Sequence, residues 1–211
     1  MKIAIVKLSA LGDIIHAMVA LQFIKRKYPD CQIDWIVEEG FKGILENNPD
    51  IDKIHTVNLK KAKQQKSLKL LFKEFKKIRQ FGKYDLVIDA QGLIKSAIVA
   101  KFIQSKKISG FDKNSIRESL ASVLYQYKTS IAYDANTIDR NVKVICNPLG
   151  LEISSDAIIN KQPFLFSQRE ILLPSKPYAL FVIGSTWGSR NYPKEKFAQV
   201  AQALQINCLV V

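Results

Sequence analysis

Short apolar runs alternate with segments of helical period along this chain, and that alternation leaves few architectures open. Ile3-Ala-Ile-Val6 comes first, then a polar turn, then Ile14 to Tyr28, whose apolar residues recur every three or four positions until Pro29 stops the pattern. Further strand-like runs fall at 32–38, 53–59, 84–90 and 106–110, with helical patterns at 67–80, 93–104, 116–127 and 136–147. Near-continuous apolar strands are those covered on both faces, which is the condition of a parallel sheet wrapped by helices. The prediction is an α/β, Rossmann-like domain.

Four of the seven prolines, Pro148, Pro163, Pro174 and Pro177, stand close together where periodicity fades. The chain therefore divides into a first domain at 1–150, a passage at 151–176 and a second beginning at 177–211. The last part holds one strand pattern at 178–183, a helix from about 194 to 204 and a strand at 206–211. Two strands and one helix cannot cover both faces of a sheet, so the expectation is a piece of a longer two-domain protein.

Composition narrows function by exclusion. No apolar run approaches the about 18 residues that span a bilayer, and Lys7 and Asp13 interrupt the apolar N-terminus, which reads as a core strand rather than a signal peptide. Three scattered cysteines and two histidines support neither a disulfide framework nor a zinc site, and a reducing, cytoplasmic compartment is expected. The formal net charge is +13 and uneven. Residues 30–52 are acidic, whereas Lys60, Lys61, Lys63, Lys66, Lys69, Lys73, Lys76, Lys77 and Arg79 follow with only Glu74 among them. Within that tract Leu68, Leu71, Phe72, Phe75 and Ile78 keep helical spacing, so 67–80 reads as a helix with an apolar and a basic face. Such a face is either solvated or attracted to a polyanion: nucleic acid, an acidic membrane or a phosphorylated substrate. No helix-turn-helix, zinc-finger or RNP pattern accompanies it.

Chemistry concentrates at the strand ends. Lys7-Leu-Ser-Ala-Leu-Gly-Asp13-Ile-Ile-His16 sets a glycine and a carboxylate where the first helix begins, at the sheet edge on which ligands of open α/β folds collect. An aspartate there caps free N–H groups, and a carboxylate so held also suits a general base; the two roles are compatible. His16, one turn on, reads as structural. Glu38-Glu-Gly40 and Asp89-Ala-Gln-Gly-Leu93 end two other strands at the same edge. Gly184-Ser-Thr-Trp-Gly-Ser-Arg190-Asn-Tyr-Pro193 is a hydroxyl-rich loop with a cation ahead of a proline-started helix; it reads either as a phosphate cradle or as a solvated loop. Neither a Walker A spacing nor a G-x-G-x-x-G after the first strand is present, which disfavours a P-loop enzyme and a dinucleotide oxidoreductase.

Taken together, Lys7 to His16, Asp34-Trp-Ile-Val-Glu-Glu-Gly-Phe41, Val87-Ile-Asp-Ala-Gln-Gly-Leu-Ile-Lys-Ser-Ala97 and Arg117-Glu-Ser-Leu-Ala-Ser122 resemble the lipopolysaccharide heptosyltransferases of glycosyltransferase family 9. The resemblance runs the length of the chain. It implies a GT-B fold, with a complete Rossmann-like N-terminal domain for the acceptor, Kdo-lipid A, and the start of a second such domain for the donor, ADP-L-glycero-β-D-manno-heptose. It implies an inverting transfer in lipopolysaccharide inner-core synthesis, the first heptose addition being favoured over a later one by the segments around Trp35 and Glu38. Asp13 matches the family's proposed general base, with Gly12 beside it. Ser185, Thr186 and Arg190 fall at the donor phosphates, Arg190 where the family usually has lysine. Lys60, Lys63 and Arg117 fall at acceptor-side basic positions. No metal or other cofactor and no nucleic acid is implied, and contact is expected with the cytoplasmic face of the inner membrane. The family's donor-side D-T-G-x-x-H segment does not occur among these residues, so the expectation for the 211-residue chain alone is poor ADP-heptose binding and negligible turnover. The competing expectation is a non-enzymatic basic α/β module that binds RNA or anionic membrane.

Overall fold

The structure is a computed structural model that describes residues 1–168, 174–184, 188 and 191–211. It divides into two compact units, Met1–Gln168 and Arg169–Val211.

The first unit is built on six parallel strands: β1 (Lys2–Val6), β2 (Gln32–Glu38), β3 (Lys53–Val57), β4 (Lys83–Asp89), β5 (Gln104–Phe111) and β6 (Tyr127–Thr129). Their order across the sheet is β3-β2-β1-β4-β5-β6. The helices that join them are α1 (Leu11–Lys27), α2 (Leu59–Gln64), α3 (Leu68–Ile78), α4 (Ile94–Phe102) and α5 (Thr137–Cys146). Right-handed crossovers send α1 to one face, because β2 lies on one side of β1, and send α3 and α4 to the other, because β4 and β5 lie on the opposite side. Contacts agree: α1 packs on α5, and α3 packs on α4. Ile3, Ile5, Ile33, Trp35, Ile36, Val87 and Ile88 are fully buried between these layers, as the unbroken apolar strands require.

Local chemistry sets the helix starts. The Ser67 hydroxyl accepts the Leu70 N–H at 3.3 Å to open α3, and the Asn136 side chain accepts the Ile138 N–H at 2.8 Å to open α5.

Two segments depart from the sequence reading. The expected helix at 116–127 is a short 3-10 turn, Ser119–Leu124, followed by β6. Gln126 exchanges hydrogen bonds with Ile108 through both its backbone and its side chain, which draws the chain out beside β5. The passage expected at 151–176 is ordered against the first unit as far as Gln168. Ser154 caps a helix α6 (Ser155–Ile159) through the Ala157 N–H, Ile158 is buried, and Leu151, Ile153 and Phe164 pack on the core. Gln22 and Gln162 exchange two further bonds, and Asn48 donates to the Phe164 carbonyl at 3.0 Å. Apolar residues spaced too irregularly for a sequence pattern provide this packing.

The second unit contains β7 (Tyr178–Phe181) and β8 (Asn207–Val210), paired in parallel, and α7 (Lys194–Leu204) between them in the chain. Phe197 of α7 lies 5.5 Å from the Phe181 ring. Among the described residues no helix is long and apolar enough to cross a membrane.

Candidate active site

The strand order reverses between β1 and β4, and the turns that leave these two strands part there, one towards each face of the sheet. Such a switch point is the ligand crevice of open α/β folds. The β1 turn runs from Lys7 to Ala10, and Asp13 follows in the first turn of α1. Its carboxylate accepts the Ala10 N–H at 3.3 Å and remains part-exposed. Asp13 therefore caps the helix and still reaches solvent. Gly12 beside it is exposed, and a Cβ built there would meet nothing within 4 Å. His16 points inward, its Nδ1 buried with no hydrogen-bond partner among the described residues.

The turn after β4 holds this segment from the other side. Gln91 Oε1 accepts both the Leu8 and the Ser9 N–H at 3.1 Å. Lys7, only 5% exposed, sends its ammonium to the Ala90 carbonyl at 2.9 Å. Burial pulls the Lys7 ammonium below its ordinary range, while the charges of Asp13 and Asp89 act the other way. Trp35 Nε1 donates to the Lys7 carbonyl at 3.3 Å, tying in β2 as well.

Beneath the turn Asp89 is wholly buried. Its Oδ1 accepts the Gln91 and Gly92 N–H, and its Oδ2 meets the Tyr125 hydroxyl at 2.7 Å and the Ser96 hydroxyl at 2.8 Å. Burial pushes the Asp89 carboxyl up, against the pull of those four donors. Ser96 Oγ also lies 2.8 Å from the Leu93 carbonyl, so its one proton is shared between two acceptors. Two glycines make room for the arrangement. Gly92 has φ +70°, and a Cβ there would come within 2.7 Å of Ile116; a Cβ at Gly110 would press on the Tyr125 ring at 2.5 Å.

Beside this frame opens a groove of about 1540 Å³. Ser9 reaches it from the β1 turn, Glu38 and Phe41 from the end of β2, Leu59, Lys60 and Lys63 from α2, Leu71 and Phe75 from α3, and Lys95 and Ile98 from α4. Its floor is apolar and its cations lie around it. Glu38, nearly buried, accepts the Lys60 N–H at 3.4 Å and pairs with Lys95 at 3.5 Å.

Of the residues singled out from the sequence, Asp13, Gly12, Lys60 and Lys63 thus lie at the carboxyl edge of the sheet, the two lysines exposed and lining the groove. Arg117 is exposed and not part of the lining, although its neighbour Glu118 is and accepts the Ile94 N–H at 2.7 Å. Ser185, Thr186 and Arg190 lie outside the described residues. Glu38, Gln91 and Lys95 were not singled out as site residues. Their position, at or just past a strand end on this edge, is the signal that finds Glu38 and Gln91; Lys95 is found only by folding α4 over the groove.

Comparison with known proteins agrees with this geometry. The family description "Glycosyltransferase family 9 (heptosyltransferase)" matches residues 71–211. Lipopolysaccharide heptosyltransferase 1 of Campylobacter coli is 39% identical over 97% of this chain and 60% of its own length. The protein of the same name from Escherichia coli K12 is 31% identical over 95% of this chain and 63% of its own. The solved structure of E. coli heptosyltransferase WaaC with ADP-2-deoxy-2-fluoro heptose superposes with a TM-score of 0.84 at 27% identity, covering 100% of this chain and 68% of that one. The chain thus spans about 60% of the length of these curated relatives. The likeness bears out the expected α/β, GT-B fold class. With a six-stranded parallel sheet, a carboxylate at its switch point and a matched stretch covering most of the sequence, the chain belongs to glycosyltransferase family 9, the heptosyltransferases.

Proposed function

We propose that this chain carries the acceptor side of an inverting heptosyltransferase, which moves L-glycero-D-manno-heptose from an ADP-heptose donor to Kdo-lipid A in the lipopolysaccharide inner core. The observation that carries the reading is Asp13: a part-exposed carboxylate on the first turn of α1, at the switch point, outside the lining of the cation-rimmed groove but four residues after Ser9, which lines it. Asp13 takes the proton of the acceptor hydroxyl as that oxygen attacks the anomeric carbon. The bond from that carbon to the ADP oxygen breaks, and its electron pair leaves with the diphosphate. Ser185, Thr186 and Arg190 meet the diphosphate, where negative charge accumulates. Lys60 and Lys63 in the groove lining, and Arg117 outside it, face the carboxylates and phosphates of the acceptor. Gly12, having no side chain, leaves the approach to Asp13 open.

Support for the donor comes from the WaaC complex with a fluorinated ADP-heptose, and support for the first heptose addition comes from relatives named lipopolysaccharide heptosyltransferase 1. Because the acceptor is a lipid, the reaction belongs at the cytoplasmic face of the inner membrane, with the protein in peripheral contact.

The test is transfer from ADP-heptose to Kdo-lipid A, followed as ADP release, in the protein at its natural length. Asp13→Asn lowers kcat by about 10²–10⁴-fold and leaves acceptor affinity in place. Turnover by Asp13→Asn at the unmodified rate overturns the reading.

A further inference from the structure

The solvent-facing flank of α3 meets the groove only at Leu68, and its composition is unusual for a face left to water. Leu71, Phe75 and Ile78 turn towards the core and the groove. At 100° per residue Leu68 and Phe72 lie on the flank beside that face, one turn apart and towards solvent, with Arg79 between them, Lys76 next to them and Lys69 and Lys73 further round. Leu68 is 81% exposed and Phe72 75% exposed. The four cations are exposed too, and among the described residues none of them is in an ion pair. The helix's acid, Glu74, is turned away and accepts the Asn58 N–H at 3.0 Å. Two bulky apolar side chains in water, ringed by cations with no counter-charge, form a surface complementary to one kind of partner: apolar below, anionic at its boundary.

We infer that this face of α3 docks on an anionic phospholipid bilayer, Leu68 and Phe72 entering the acyl region while Lys69, Lys73, Lys76 and Arg79 meet the headgroups. An amphipathic helix of this composition lies in the interface plane, held by buried apolar area and by attraction to negative lipid together. The surface suits nucleic acid less well. Single strands bind on aromatic platforms, and here one of the two exposed apolar residues is an aliphatic leucine with no face for a base. The inference rests on the proposed reading in one respect, that the acceptor is lipid-linked. It adds the location of the contact, since Leu68 also stands at the rim of the groove, which then opens at the membrane surface.

The experiment is flotation of the purified chain with phosphatidylcholine vesicles, with and without phosphatidylglycerol, at low and at physiological salt. The chain binds the anionic vesicles, weakens with salt and ignores the neutral ones. Leu68→Ser combined with Phe72→Ser, whose side chains make little of the core, keeps the circular dichroism of the parent and weakens vesicle binding by at least about tenfold, the equivalent of burying one such side chain. Lys69→Gln with Lys73→Gln and Lys76→Gln removes the salt dependence. Failure of the unmodified chain to float, or flotation of the Leu68/Phe72 variant as strong as the parent's, overturns the inference. So does preferential binding of polyuridylate that the vesicles do not displace. These vesicles contain neither acceptor nor donor, so the outcome is separate from the transfer assay. Flotation of this chain with no heptose transfer by the protein at its natural length would remove the enzyme reading and leave the docking face standing.

Discussion

The side-chain oxygen of Gln91 accepts the backbone N–H of Ser9 at 3.1 Å, joining turns 82 residues apart in the chain. With the matching bond to Leu8 and the Lys7 bond to the Ala90 carbonyl, it fastens the turn that leads into Asp13 to the turn after β4. A carboxylate at the start of a helix is only as well aimed as the turn that leads into it, and this turn is gripped by its neighbour in the sheet.

Gln91→Ala leaves the Leu8 and Ser9 N–H groups without their acceptor. The expected cost is about 1–3 kcal/mol in urea denaturation, with faster amide hydrogen exchange at residues 8 and 9. Gln91→Glu keeps an oxygen at the same reach and restores the protection. Equal exchange in Gln91→Ala and the parent would show that the turn holds itself.

At Asp89, loss of the charge and loss of the oxygen have different consequences. Asp89→Asn retains an acceptor for the Gln91 and Gly92 N–H groups, and the Tyr125 and Ser96 hydroxyls can turn to accept from its amide. It stays within about 1 kcal/mol of the parent, because burial already disfavours the carboxylate. Asp89→Ala strands the Gln91 and Gly92 N–H groups and the Tyr125 hydroxyl, while Ser96 keeps the Leu93 carbonyl, and costs about 3 kcal/mol or more. The two variants are compared by denaturant titration at neutral pH; a large loss in both would assign the carboxylate form an essential role.

At the opposite end of the strands Asp34 meets the Tyr84 hydroxyl at 2.6 Å, His55 Nε2 at 3.2 Å and the Lys2 ammonium at 3.3 Å. Burial alone would raise its carboxyl, but the bonds from His55 and Tyr84 and the charge of Lys2 outweigh it, and the carboxyl lies below its usual range. The unfolded chain therefore takes up this proton first as acid is added. The stability it supplies is complete above the unfolded value of about 3.9 and disappears as pH falls through the folded one. Thermal denaturation against pH shows this as an acid slope, and Asp34→Asn makes the slope shallower. An unchanged slope in the variant would place the acid sensitivity elsewhere.

The three cysteines differ in access to a thiol reagent. Burial pushes Cys146 up to about 12 and raises Cys31 as well, and both are enclosed, whereas Cys208 in β8 is part-exposed. Alkylation of the native protein at neutral pH followed by peptide mass analysis labels Cys208 and leaves the other two until denaturant is added. Labelling of Cys146 on the time scale of Cys208 would mean that α5 opens readily.

The fold was legible because a strand covered on both faces has to be largely apolar, a demand that β1 meets over 3–6, β2 over 33–37 apart from Asp34, and β4 over 86–88. α3 was legible from its period, and the structure adds its Ser67 cap. The 119–124 turn and β6 were not, since Leu120 and Val123 imitate a helix's spacing while facing solvent, and Tyr125 is drawn inward by a partner 36 residues away. The site was half legible for the same reason. Asp13 and its glycine announce themselves within one short segment, and basic residues at 60 and 63 stand out by charge. Gln91 and Lys7 act through bonds to backbone on another strand, and such bonds leave no mark on composition or spacing.

The place of each element in the sheet has a consequence for divergence. β3, which feeds α2 and α3 into the groove wall, stands at the margin of the sheet, whereas the segment bearing Asp13 hangs from β1 in its middle. Chain entering and leaving a marginal strand can lengthen, shorten or exchange sequence without repacking the interior. Under the proposed function, the wall is thus free to vary with the acceptor, while the segment bearing Asp13 is held by the central pair.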